Sequence, residues 1–137
     1  MQVIIEPDEG ILPILKAIKR AKKSLDIVIF RFDMPEIEDA LAAAVERGVA
    51  VRALIAHTNR GGEKKLRKLE SRLLKSGATL SRTANDMARY HGKVIIVDHK
   101  KAMVLGFNFT NLDIKRSRSL GLVTVNPKIV SALSKVI

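Results

Sequence analysis

The chain has 137 residues, 47% hydrophobic and 28% charged, with 25 Lys+Arg against 14 Asp+Glu, so it carries a net charge of +11. That is enough for one domain with its own core, residues 1–137, and it is not a disordered composition. The absence of cysteine excludes a disulfide scaffold, a zinc–thiolate site and a cysteine nucleophile, and no apolar run is long enough to cross a bilayer. The opening MQVIIEPDEG places Glu6, Asp8 and Glu9 where a signal peptide needs basic residues, so the expected location is the cytoplasm.

The predicted elements begin with a short first or edge strand at Val3–Ile5, broken by Pro7–Gly10. A helix follows: Pro13 suits a first turn, and Ile11, Leu12, Leu15, Ile18 and Ala21 keep helical spacing up to Lys23. Leu25–Phe32 is rich in β-branched and aromatic residues and reads as a strand. Pro35–Arg47 is a second helix, with Ile37, Leu41, Ala44 and Val45 on one face and Gly48 as its stop. Val49–Ala56 is a strand. After Gly61 and Gly62, Glu63–Lys75 reads as a third helix capped by Gly77. Thr79–Arg82, Lys93–Val97, Ala102–Phe109 and Leu120–Val125 are strands, and Pro127 opens a last helix to Ile137. Strand–helix alternation followed by consecutive strands predicts an α/β fold, a mixed sheet flanked by helices.

The chemistry concentrates in Tyr90-His91-Gly92-Lys93 and the apolar run Val94–Val97, which ends at Asp98. An all-apolar run of four is what a central strand buried on both faces requires. His91 and Lys93 are two apart and share a side of an extended chain. Lys93 can hold a phosphate oxygen as a point charge, and His91 can attack phosphorus or move a proton near neutral pH. Asp98 lies seven residues from His91, about 20 Å along a straight strand, so it reads as a turn or scaffold residue in Asp98-His99-Lys100-Lys101. Pairing Val97 with Ala102 would set Lys93 opposite Gly106 and His91 opposite Asn108, whose amide could then donate to a phosphate oxygen. His57 follows a strand and reads as an exposed loop residue, and His99 as a solvated turn residue. The three histidines have no metal-ligand spacing, so neither a metal nor a cofactor is expected.

His91-x-Lys93-x4-Asp98 resembles the signature of the phospholipase D superfamily. Residues 3–130 look like that superfamily's short, single-motif bacterial endonucleases. The likeness includes Ala40-Leu41, the Arg47-Gly48-Val49 turn and Gly106-Phe107-Asn108-Phe109-Thr110. The resemblance implies a phospholipase D-like α/β/α sandwich in which two motifs meet at a two-fold axis. One histidine becomes a phosphohistidine while the other protonates the leaving group. His91, Lys93 and Asn108 map onto the catalytic roles, and Asp98 onto the signature aspartate. Gly106 stands where the family usually has a phosphate-contacting serine, and Ser119 where a glutamate often orients the histidine. Gly106→Ser and Ser119→Glu are therefore expected to speed catalysis.

The expected function is a metal-independent phosphodiesterase half-site, completed by a second copy of the chain or by a second domain. The apolar stretch Leu105–Phe109 is expected to help bury that interface. Nucleic acid is the favoured substrate because basic residues cluster in Lys19–Lys23, Lys64–Lys75 and Lys115–Arg118. Anionic phospholipid is the alternative for an enzyme. A nucleic-acid-binding module with impaired catalysis is the alternative outside that class.

Overall fold

The computed structural model describes residues 1–29, 34–55, 71–75, 77–82 and 93–135. Seven strands form one mixed sheet. They are β1 (Gln2–Glu6), β2 (Ser24–Ile29), β3 (Ala50–Ile55), β4 (Thr79–Arg82), β5 (Val94–Val97), β6 (Lys101–Leu105) and β7 (Ser119–Thr124). Their spatial order is β1-β7-β6-β5-β2-β3-β4. Strands β2, β3 and β4 are parallel, and every other pairing is antiparallel. Four helices are fully described: α1 (Leu12–Arg20), α2 (Pro35–Glu46), α3 (Asn111–Arg116) and α4 (Pro127–Ser134). Residues 71–75 are also helical, which agrees with the end of the predicted third helix; the rest of that helix lies outside the described residues.

Each face of the sheet follows from strand alternation. On one face Ile4, Leu25, Ile27, Ile95, Val97, Met103, Leu105 and Val123 pack against Ile14 and Ile18 of α1 and Ile37, Leu41 and Ala44 of α2. On the other, Ile96 and Ala102 meet Val130 of α4. Strand β5 is therefore covered on both sides, as its apolar run demanded. The outer strands of that second face are bare: Val3, Ile5, Leu120 and Leu122 are exposed.

Several boundaries differ from the sequence reading. Helix α1 stops at Arg20, because Arg47 reaches across to cap its last turn; the Nη2 group donates to the carbonyls of Ile18 and Ala21 at 3.1 Å each. Strand β6 ends at Leu105 rather than Phe109. Phe107 and Phe109 turn inward and are 1% and 0% exposed, so they fill the core where the strand has ended. Helix α3 was not predicted. It is a short helix, and Thr110 caps it by accepting the Asp113 N–H at 3.1 Å.

The β5–β6 register is one residue away from the expected one. Val97 pairs with Lys101, not Ala102. The turn holds three residues instead of four, with Asp98 and His99 both in the left-handed region at φ 54° and 55°. Lys93 consequently opposes Leu105, whose N–H donates to the Lys93 carbonyl at 2.8 Å. Gly106 does not face Lys93.

Candidate functional site

Lys93 immediately precedes β5, the middle strand of the sheet. Strands β2, β3 and β4 finish at the end of the sheet where β5 begins, because Val28 lies opposite Val94 and Ile29 opposite Ile55. In α/β sheets ligands bind beyond the carboxyl ends of parallel strands, and Lys93 is half-buried at that end. His91 and His57 lie outside the described residues.

Three further segments converge on this end. The first is the stretch after β6. Buried Phe107 and Phe109 flank half-buried Asn108, and the Asn108 N–H donates to Asp113 Oδ2 at 2.7 Å. The second is the start of β7, where Ser119 is half-buried and its hydroxyl approaches the Asp113 carbonyl at 3.5 Å. Asp113 therefore ties both segments to α3. It was not among the expected site residues, though the spacing Thr110-x-x-Asp113 carried the capping signal. The third segment is the end of β1, where Glu6 pairs directly with Ser119.

Glu6 is 0% exposed. Burial is the main cause that pushes its carboxyl up to about 7; Glu9 and Asp8 add to the rise, and the Gly10 N–H opposes it. The Gly10 amide lies near the carboxylate without reaching good hydrogen-bond geometry, and neither oxygen has another partner among the described residues. The sequence reading used Glu6 only as evidence against a signal peptide. The period-two pattern that buries Ile4 also puts Glu6 on the core face, and that signal was available.

Gly106 is held by backbone proximity. Its N–H donates to the Leu120 carbonyl at 2.7 Å, and a Cβ at this position would lie 2.7 Å from the same oxygen. The expectation that Gly106→Ser would restore a helpful hydroxyl is therefore corrected: a side chain here must first force β6 and β7 apart. The apolar stretch Leu105–Phe109 is likewise not available to a partner, because Leu105, Phe107 and Phe109 are all buried within the chain's own core.

Asp98 sits at the opposite end of the sheet from Lys93. Its carboxylate accepts N–H groups from Lys22 at 3.1 Å, Lys23 at 2.7 Å and Ser24 at 3.0 Å, and its own N–H donates to the Ser24 carbonyl at 2.9 Å. Burial works against its charge, but the three amides and Lys100 outweigh burial and hold the carboxyl below the ordinary aspartate range. The Lys19–Lys23 cluster belongs to this far end. Lys115–Arg118 belongs to the Lys93 end, where Arg118 pairs with Asp8 at 3.1 Å. Of the middle cluster, residues 64–70 lie outside the described residues. His99, exposed in the turn, brings Nδ1 to 3.8 Å from Asp26. Among the described residues no three His, Asp or Glu side chains cluster as metal ligands do, and no helix is long and apolar enough to cross a membrane.

The comparisons agree with this geometry. The profile of the family described as cardiolipin synthase, PLD-like domain, matches residues 14–137. Nuc of Salmonella typhimurium, a phospholipase D family member, is 31% identical over 98% of this chain and 88% of its own, with a TM-score of 0.87. NucT of Helicobacter pylori is 16% identical with a TM-score of 0.81, over 98% of this chain and 91% of its own. The archaeal chromatin protein TrmBL2 is 14% identical with a TM-score of 0.67, over 98% of this chain and 50% of its own. The last two show the fold alone. No curated protein sequence matches the chain significantly. On the profile match and the likeness to Nuc, the chain belongs to the phospholipase D superfamily.

Proposed function

We propose that this chain is one half-site of a metal-independent phosphodiesterase that cleaves nucleic acid through a phosphohistidine at His91. The observation that carries the reading is the convergence of Lys93, Asn108 and Ser119 at one end of the sheet, next to the basic Lys115–Arg118 segment. Superfamily membership supports a phosphodiesterase-type hydrolase, the likeness to Nuc, a phospholipase D family member, agrees with it, and the net charge of +11 favours nucleic acid as the substrate.

In this mechanism an imidazole nitrogen of His91 attacks phosphorus, and the bond to the leaving oxygen breaks. A second histidine, from a second copy of the chain, gives that oxygen its proton. Water then attacks the phosphorus, passes a proton back to the second histidine, and the phosphorus–nitrogen bond breaks. Lys93 balances charge on the phosphate oxygens throughout. One histidine must start neutral and the other protonated, so a lone half-site cannot complete the cycle. A homodimer supplies both, because a two-fold contact brings like residues together.

The test is hydrolysis of a chromogenic phosphodiester and of DNA in excess EDTA, for the parent and for His91→Ala. Cleavage that survives EDTA and disappears in His91→Ala is expected. Parental rates in a folded His91→Ala variant would refute the proposal. A second reading has its own observation: Ile5 and Leu120, exposed beside Gly106, give this end an apolar lip suited to phospholipid. Faster release of headgroup from anionic vesicles than of nucleotides from DNA would favour it.

A further inference from the structure

We propose that the groove between helix α1 and strands β1, β7 and β6 is a second binding site, which takes an amphiphilic anion with an aliphatic chain. The inference does not depend on the function proposed above. A cavity of about 650 Å³ opens there. That volume suits a small molecule and is too small for a folded partner. Ile4, Ala17, Met103 and Val123 form its floor, and all four are buried. Lys16, Arg20 and Lys101 stand along its rim.

Strand alternation and helical spacing build this groove with one polar and one apolar end. Lys101, Met103 and Leu105 alternate onto the face covered by α1, and Met103 is level with Val123 of β7 and Gln2 of β1. Ile4 lies one row further along, level with Leu105, so the strands span about 13 Å from Lys101 to the row of Ile4. Across the groove, Leu12, Lys16 and Arg20 recur at four-residue spacing on one face of α1, about 12 Å from first to last. The amides of Lys22 and Lys23, just past α1, bind Asp98 and so set Arg20 at the same end as Lys101, beside the β5–β6 turn. Leu12 and Pro13 lie at the other end, next to the turn that follows β1. Among the described residues the one carboxylate lining the groove is Glu9, at this apolar end, and its Oε2 accepts the Ile5 N–H.

The lining selects the ligand. Lys16, Arg20 and Lys101 have no ion-pair partner among the described residues, and Lys101 is half-buried. Taking an ammonium partly out of water without a counter-charge is costly, and a bound anion offsets that cost. The floor offers aliphatic side chains and the thioether of Met103, which adapts its shape to a flexible chain. No aromatic ring is among the described lining residues, so a nucleobase finds no stacking surface, whereas an alkyl chain gains by leaving water. The anionic head therefore sits between Arg20 and Lys101 with Lys16 alongside, and the chain runs over Met103 and Val123 toward Ile4 and Leu12.

The experiment is isothermal titration calorimetry of the full chain with decyl phosphate, decanoate, the cation decyltrimethylammonium and inorganic phosphate, the amphiphiles kept below their critical micelle concentrations. Parent, Arg20→Glu and Lys101→Gln are compared. One decyl phosphate or decanoate should bind per chain, at least about tenfold more tightly than decyltrimethylammonium or inorganic phosphate. Affinity should rise by up to about fourfold for each methylene added between hexyl and decyl. Arg20→Glu and Lys101→Gln should each weaken binding by about tenfold or more. Tighter binding of decyl phosphate supports the site and makes a lipid phosphate its source; tighter binding of decanoate supports the site and makes a fatty acid its source. Arg20 is exposed on the rim, so Arg20→Glu decides alone if Lys101→Gln does not fold. Binding that does not saturate at one per chain, that ignores chain length, or that is unchanged in Arg20→Glu overturns the inference. So does a short DNA duplex whose binding is lost in Arg20→Glu while decyl phosphate does not bind the parent, because the rim would then belong to nucleic acid.

Discussion

Asp98→Ala tests whether the signature aspartate acts through the scaffold alone. The substitution removes a carboxylate that accepts three backbone N–H groups at 2.7 to 3.1 Å. A hydrogen bond to a charged group contributes about 1.5–3 kcal/mol. The Lys22 and Lys23 amides are exposed and rehydrate once the carboxylate is gone, whereas the Ser24 amide is half-buried and does so less well. The net loss from the three is about 2–3 kcal/mol. Alanine at φ 54° adds about 1 kcal/mol, which asparagine largely avoids. Asp98→Ala should therefore lose about 3–4 kcal/mol and Asp98→Asn about half of that. For a chain of this size the alanine variant should melt roughly 10–15 °C lower. The sign of the pH effect follows from the depressed carboxyl. Its stabilisation is present above the ordinary aspartate value of 3.8 and fades as pH falls through the lower folded value. Thermal melts followed by circular dichroism between pH 8 and 3 measure both quantities. A loss below about 1 kcal/mol, or a deficit that stays constant down to pH 3, would refute the argument.

Gly106→Ser should destabilise the protein by about 1–3 kcal/mol and lower activity, since its Cβ meets the Leu120 carbonyl; an unchanged urea midpoint would show that β6 and β7 separate freely. Arg52→Ala should cost about 2–3 kcal/mol, because it strips the 2.7 Å ion pair from buried Asp26, and a loss under 0.5 kcal/mol would mean that water replaces the guanidinium. Glu6→Gln should raise stability above pH 7. The folded carboxyl at about 7 exceeds the unfolded value of 4.5, so parental stability is full below 4.5 and declines as pH rises to 7. Relief of that buried charge should be worth about 1–3 kcal/mol, and parallel pH–stability curves for the two proteins would contradict it.

Much of the architecture was legible because it rests on periodicity. The unbroken run Val94–Val97 marked the central strand, and Gly48 and Gly77, at φ 90° and 99°, marked the helix stops where left-handed backbone is needed. What escaped the sequence depends on distant partners. The end of β6 is decided by two phenylalanines that reach the core, and their apolar character suits a longer strand equally well. The end of α1 is decided by Arg47, from another helix. The hairpin register turned on whether the Asp98 turn holds three residues or four, and Asp98 and His99 gave no glycine to announce their positive φ. Of the candidate site, the segment from His91 to Asp98 and the Asn108 loop were legible as motifs. Glu6 was not, because its significance comes from a neighbour at the other end of the chain, Ser119.

That pairing also bears on how the protein assembles. The hairpin of β5 and β6 and the strand β7 that follows are neighbours in sequence, whereas β1 must find β7 across almost the whole chain, with Gln2 coming to lie against Val123. Loop closure over that span is the costliest in the sheet, so β1 docks only after the rest of the sheet offers it an edge. On a ribosome β1 would wait for β7. Amides of β1 would accordingly exchange with solvent sooner than those of β5, and the end of the sheet that holds Glu6 would be the last to close.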